Sequence, residues 1–190
     1  MAKAAERGHA TRQRLFQAAV ELIGEVGWSN VTTRLVAERA GVAPGVVHYH
    51  FGSVTELLVE ASTAVAGEML DGIAREVTAL PGIGEGVDRL LGEMARYTGT
   101  DPASLLIAEM YLASARLPEL RERLAGLLLD LRGRLAGWLR EHGHPGDASA
   151  AATVLVAAVD GLVLHRGIDP GMDVAALGAP LRAMLTLREG

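Results

Sequence analysis

The chain has 190 residues, 49% of them apolar and 22% charged, with no cysteine and a formal net charge of −5. That length allows one domain or two small ones sharing a core, and the apolar fraction excludes disorder. Without cysteine there is no disulfide framework, no thiolate metal site and no cysteine nucleophile. The charge is uneven. Residues 1–52 hold six basic residues (Lys3, Arg7, Arg12, Arg14, Arg34, Arg39) against four acidic ones (Glu6, Glu21, Glu25, Glu38), a surplus of +2 that leaves −7 on the remainder. Phe16, Trp28, Tyr49 and Phe51 lie in this head, and only Tyr97, Tyr111 and Trp138 in the body. Such asymmetry points to a nucleic-acid-facing end.

In chain order, the periodicity is helical throughout and no segment alternates with period two. Leu15, Phe16, Ala19, Leu22, Ile23 and Val26 form one apolar face, over a helix Thr11–Gly27 that Gly27 closes. Thr32 is placed to cap a second, short helix carrying Leu35, Val36 and Ala40, which Gly41 ends. Pro44 suits the first turn of a third helix over Ala43–Phe51, with Val47 and Phe51 on its core face. Two short helices around Gly41-Val42 make a helix-turn-helix. A longer helix over 53–78 has Leu57, Leu58, Ala61, Val65, Met69, Ile73 and Val77 as its inner stripe. Breakers at Pro81-Gly82, Gly99 to Pro102, Pro118, Pro145-Gly146 and Pro170-Gly171 then separate Ile83–Thr98, Ala103–Arg116, Glu119–His142, Asp147–Gly167 and Met172–Arg188. Gly178 and Pro180 should weaken or bend the start of the last. The expected fold is all-α, about nine helices by this segmentation, with a three-helix head at 1–52 on a helical body at 53–190.

No targeting segment is expected. The stretch Leu15–Trp28 contains Glu21 and Glu25, unlike a secretory core. The most apolar run, Ala150–His165, is about 16 residues, short of the ~20 that span a bilayer. It reads as a helix buried on most of its circumference, in a cytoplasmic protein with no membrane partner.

The run Thr32-Thr33-Arg34-Leu35-Val36-Ala37-Glu38-Arg39-Ala40-Gly41-Val42-Ala43-Pro44-Gly45-Val46-Val47-His48-Tyr49-His50-Phe51 resembles the DNA-binding signature of TetR-family transcriptional regulators. The resemblance extends over roughly residues 11–60, including Val54-Thr55-Glu56-Leu57-Leu58. It implies that the third helix enters the major groove. Carried over by position, Pro44, Gly45, Val46 and Tyr49 face base edges, Thr33, His48 and His50 touch phosphates, and Arg34 touches phosphate or base. His48 stands where the family usually has tyrosine, Ala43 replaces a serine cap, and Val54 replaces a lysine or arginine. The last change removes a phosphate contact and flattens the salt dependence of binding.

The resemblance further implies a homodimer on a palindromic double-stranded operator, repression as the usual mode, and release by a small-molecule effector held in the body. The residues of 148–164 argue for the dimer independently, because they are apolar on nearly every face, and the seam is expected over about 147–188. Polar or aromatic candidates for the effector pocket are Tyr97, Glu109, Met110, Tyr111, Trp138 and His165, each with a plain alternative as core, surface or dimer seam. Few aromatics and many aliphatics suit an apolar effector. No enzyme signature is present: there is no His-Glu-x-x-His, no Gly-x-Ser-x-Gly and no phosphate-binding glycine loop. No cofactor or metal is expected, and His142 and His144 read as a solvated helix end. The rival reading is a ligand-binding or interaction protein of the same fold that no longer binds DNA, which the small head surplus and Val54 favour.

Overall fold

The computed structural model describes residues 2–186, with side chains from residue 6 onward. The described residues form nine α-helices and two single 3-10 turns, without a β-strand. The helices are α1 (Ala2–Val26), α2 (Thr33–Ala40), α3 (Pro44–His50), α4 (Val54–Thr78), α5 (Ile83–Met94), α6 (Pro102–Ser114), α7 (Pro118–Glu141), α8 (Ala148–Ile168) and α9 (Gly178–Thr186). They partition into two compact units. The first holds residues 1–66 and 105–124, the second 67–104 and 125–190, so α4, α6 and α7 each contribute to both.

In the first unit, α1 packs on α2 and α2 on α3. Leu15, Ala19, Leu22 and Ile23 are fully or nearly fully buried, as their spacing requires, while Val26 is exposed at the helix end. The helix begins at Ala2 rather than near Thr11. The alanine-rich start has strong helix propensity without an apolar face, so periodicity is blind to it. Thr32 caps α2 by accepting the Leu35 N–H, and Gly41 ends it at φ 65° and ψ 41°. There the Val42 N–H bonds the Ala37 carbonyl and the Gly41 N–H that of Glu38, closing the helix. On α4, Leu57, Leu58 and Ala61 are buried, but Val65 is exposed and the inward stripe runs through Ser62 and Ala66 instead.

The second unit is built on a core in which Val87, Leu90 and Leu91 of α5 meet Leu135, Trp138 and Leu139 of α7 and Leu155 and Val156 of α8. The Trp138 ring lies over α5, where a Cβ on Gly86 would come within 2.2 Å of it. Its indole N–H donates to the Leu80 carbonyl at 3.2 Å. The α5–α6 connection is pinned to α8. Gly99, at φ 80°, approaches Gly167 so closely that a Cβ would lie 2.1 Å from the Gly167 nitrogen. The Arg166 guanidinium donates to the carbonyls of Met94, Ala95 and Tyr97, satisfying backbone acceptors at the end of α5.

Four expectations change. The helix over Ala148–Ile168 has 21 residues, long and apolar enough by length and composition alone to cross a membrane. It is also not buried on most of its circumference: only Ala148, Ala152, Leu155 and Val156 are buried, one stripe that a single chain can cover, while Val154, Leu164 and Ile168 are exposed. The last expected helix, Met172–Arg188, is split into a 3-10 turn at Ala175–Leu177 and α9, whose first turn accommodates Pro180. Its part beyond Thr186 lies outside the described residues. His142 and His144 are not freely solvated either: their Nδ1 atoms bond the carbonyls of Trp138 at 2.8 Å and Leu185 at 2.6 Å.

Asp101 organises the loop before α6. Burial raises its carboxyl pKa, but hydrogen bonds from the Ser104 hydroxyl and N–H and the Thr98 N–H and hydroxyl outweigh this and lower it to about 2. A carboxylate held below its unfolded value adds stability that is complete above that value and vanishes as pH falls through the folded one. Asp101→Asn should therefore lower the thermal midpoint at pH 7, and the gap from wild type should close between pH about 4 and about 2. A gap unchanged across that window in pH-resolved melts would contradict the assignment.

Candidate nucleic-acid interface

The site is assembled around a helix of seven residues, Pro44–His50. Pro44 supplies a preset φ at its start, and Ala43 gives no side-chain cap. The inward edge is Val47 and Phe51, both essentially fully buried. The rest of the helix is more open: Tyr49 is 85% exposed, Pro44, Gly45 and His48 are exposed, and Val46 and His50 are half-buried. A large aromatic this exposed on a two-turn helix is free to meet a partner. The Tyr49 and His50 rings meet edge to face, with centroids 5.2 Å apart. On α2, Arg34 is exposed and has no ion pair among the described residues, and Thr33 is half-buried in the first turn. All eight positions assigned by resemblance therefore lie on α2 or α3.

His48 has a specific geometry. Its Nδ1 donates to the Gly52 carbonyl at 3.4 Å. In the neutral ring that leaves Nε2 as an acceptor, and only the protonated ring offers Nε2–H to a phosphate oxygen.

The head's positive surplus is partly consumed inside the unit. Arg39 bonds Glu25 at 2.6 Å and Glu21 at 3.2 Å, tying α2 to α1. The hydrogen bond from Arg39 holds the exposed Glu25 carboxyl below its ordinary range. Arg12 bonds the Glu60 carboxylate on α4, and its guanidinium carbon lies 4.4 Å from the Phe51 ring centre and 5.2 Å from that of Phe16. Arg12 carries no signal in the sequence beyond its spacing of four from Phe16, which puts both on one face of α1.

The six body candidates separate between the units. Glu109, Met110 and Tyr111 belong to the first, and Tyr97, Trp138 and His165 to the second. Met110 and Trp138 are core residues, Tyr97 packs against the second unit's core, and His165 is exposed on α8. Burial, then the nearby Glu93 carboxylate, raises the Tyr97 phenol above its ordinary value. Glu109 accepts the Trp28 N–H at 2.8 Å, just after Gly27 turns the chain out of α1 at φ 81°. A cleft of about 440 Å³ opens beside it, lined among others by Trp28, Asn30, Thr55, Glu109 and Arg116. Among the described residues no group of three or more histidine or carboxylate side chains converges as a metal site would require.

Residues 15–61 match the family described as bacterial regulatory proteins of the tetR family, and residues 81–187 match the tetracyclin repressor-like C-terminal domain. The transcriptional regulator BetI of Rhizobium meliloti is 28% identical over 158 residues, covering 83% of this chain and 78% of that protein. Among solved structures, Salmonella enterica GusR superposes with a TM-score of 0.77 at 23% identity, over 93% of this chain and 96% of its own. A regulator from Saccharomonospora viridis in complex with choline superposes with a TM-score of 0.73 at 23% identity, over 90% of this chain and 93% of its own. These relatives are regulators of transcription, not enzymes. With a C-terminal match spanning more than half of its length and an N-terminal one over α2 and α3, this chain belongs to the TetR family of DNA-binding transcriptional regulators.

Proposed function

We propose that the protein is a cytoplasmic repressor that binds a palindromic operator as a homodimer and leaves it when a small molecule occupies the body. The observation that carries the DNA-reading part is the split of α3 into a buried edge, Val47 and Phe51, and an open face led by Tyr49. On that face Pro44, Gly45, Val46 and Tyr49 would meet base edges with Arg34 beside them. Val46 and the Tyr49 ring suit thymine methyls. Thr33, His48 and His50 would hold phosphates and set the register. Residues 1–52 then read DNA, while 53–190 serve dimerisation and effector binding.

The uncovered apolar positions of α8, Val154, Leu164 and Ile168, support a second copy as their cover, with Met184 of α9 continuing the exposed set. A soluble four-helix seam explains this face as well as its composition explains a membrane span, and it also supplies the two-fold axis a palindrome needs. The choline in complex with the Saccharomonospora viridis neighbour supports a small ligand for a protein of this fold. Glu109 supports a route from that body to the head, since it holds the exit of α1 from a position on α6.

Selection of duplexes from a random-sequence pool tests the reading. The wild-type protein should enrich an inverted repeat, and a failure to enrich any sequence across salt concentrations would leave the DNA-free alternative. Tyr49→Ala should erase preference at the positions it contacts, at about tenfold or more for each base discriminated, while His50→Ala weakens all duplexes alike. Light scattering should give twice the chain mass at micromolar concentration, and Leu164→Glu should halve it. A wild-type monomer there would overturn the dimer.

A further inference from the structure

Resting on the reading of α3 as the base-reading helix, we propose that Arg12 is a positioning residue for sequence readout: it locks the C-terminal end of α3 between α1 and α4 and is not itself a DNA contact. A helix of seven residues is too short to persist alone, and α3 has no side-chain cap at its start. Its last carbonyls have no intrahelical donors. Arg12 reaches the end of α3 from α1 and donates to the carbonyl of His50, the last helical residue, at 3.4 Å. The same guanidinium sits over the Phe51 ring at 4.4 Å, next to the chain's exit from α3, and over Phe16 of its own helix at 5.2 Å. The two phenyl rings are themselves 5.6 Å apart, so the cation lies against a joined aromatic surface. The other side of the fork bonds Glu60 on α4. One planar group therefore engages α1, the end of α3 and α4 together, using geometry that an ammonium cannot reproduce.

The pairing with Glu60 decides between the two roles an arginine near DNA can have. Both side chains are about one-third exposed, and the guanidinium is already bonded to a carboxylate, a carbonyl and two rings. Its charge is spent inside the unit. If long-range attraction to phosphates were its role, removing the opposing Glu60 charge would strengthen binding to every DNA. If it positions α3, losing Glu60 releases Arg12 and weakens binding to the cognate sequence alone. The two roles thus predict opposite signs for one isosteric substitution.

The experiment compares wild type, Arg12→Gln, Arg12→Lys and Glu60→Gln on two probes, the duplex enriched by the wild type and unselected duplexes of the same length. Amide hydrogen exchange of the DNA-free proteins is followed alongside. Arg12→Gln should lose about tenfold or more on the enriched duplex, and Glu60→Gln about threefold or more, with changes under about twofold on unselected DNA. Arg12→Lys should stay impaired on the enriched duplex although it keeps the charge. In free Arg12→Gln and Glu60→Gln, amides of Val47 to Phe51 should exchange faster while those of Leu22 and Ile23 keep wild-type protection. Full rescue by lysine, equal losses on both probes, or tighter binding of the enriched duplex by Glu60→Gln would each overturn the proposal. If the wild type enriches nothing, the operator reading fails, and unchanged exchange in α3 would then overturn the role of Arg12 separately. Should Arg12→Gln not fold, Glu60→Gln carries both readouts alone.

Discussion

A helix that reads a DNA groove must leave most of its circumference open, and the helix proposed for that role here has only seven residues, Pro44–His50. It can neither bury enough area nor form enough internal hydrogen bonds to hold its own orientation. The surroundings must do so. Gly41 supplies the left-handed turn that aims α3 from the end of α2. Val47 and Phe51 insert as the two buried anchors. Arg12 takes the far end. The proposed DNA-reading element is thus a small open helix held by contacts at its two ends and along one edge, and the long α1 and α4 are the parts rigid enough to hold it.

That arrangement also changes what the head's charge means. A surplus of +2 over residues 1–52 suggests an electrostatic attractor. Among the described side chains, Arg12 and Arg39 are engaged with carboxylates within the unit. They act at short range on structure, where geometry matters more than net charge. The open face of α3 is aromatic, imidazole and aliphatic instead. In its proposed role such a face would read shape, methyl groups and hydrogen-bond partners, and would gain little from the counterion release that dominates sequence-blind binding.

The second unit solves a different problem. Its α8 is nearly uniformly apolar, with only one stripe covered by its own chain. Such a helix needs an exact foundation if a second surface is to meet its free face. The close approach of Gly99 to Gly167, the Arg166 fork on the end of α5 and the four hydrogen bonds to Asp101 provide one. Each would be lost with a single side-chain change, because backbone lies against backbone and a carboxylate replaces solvent as the acceptor.

The helical class, the breakers, the cap at Thr32, the turn at Gly41 and the ordered run from Thr32 to Phe51 are legible in the chain alone. Each depends on local chemistry: apolar periodicity, a hydroxyl one turn from an N–H, a residue without a Cβ where φ is positive. The displacement of the inner stripe of α4 from Val65 to Ser62 and Ala66, the nine extra residues at the start of α1, and the 3-10 turn that precedes the last helix were not, because propensity and packing there act without a distinctive local pattern. The same holds for function. That α3 carries a DNA-reading signature is written in sequence order. That Arg12 and Glu60, 48 residues apart, meet at the end of that helix, and that Glu109 closes the exit of α1 from 81 residues away, only tertiary packing decided. A charged side chain announces its charge in the sequence, but its partner is chosen by which helices the core brings side by side.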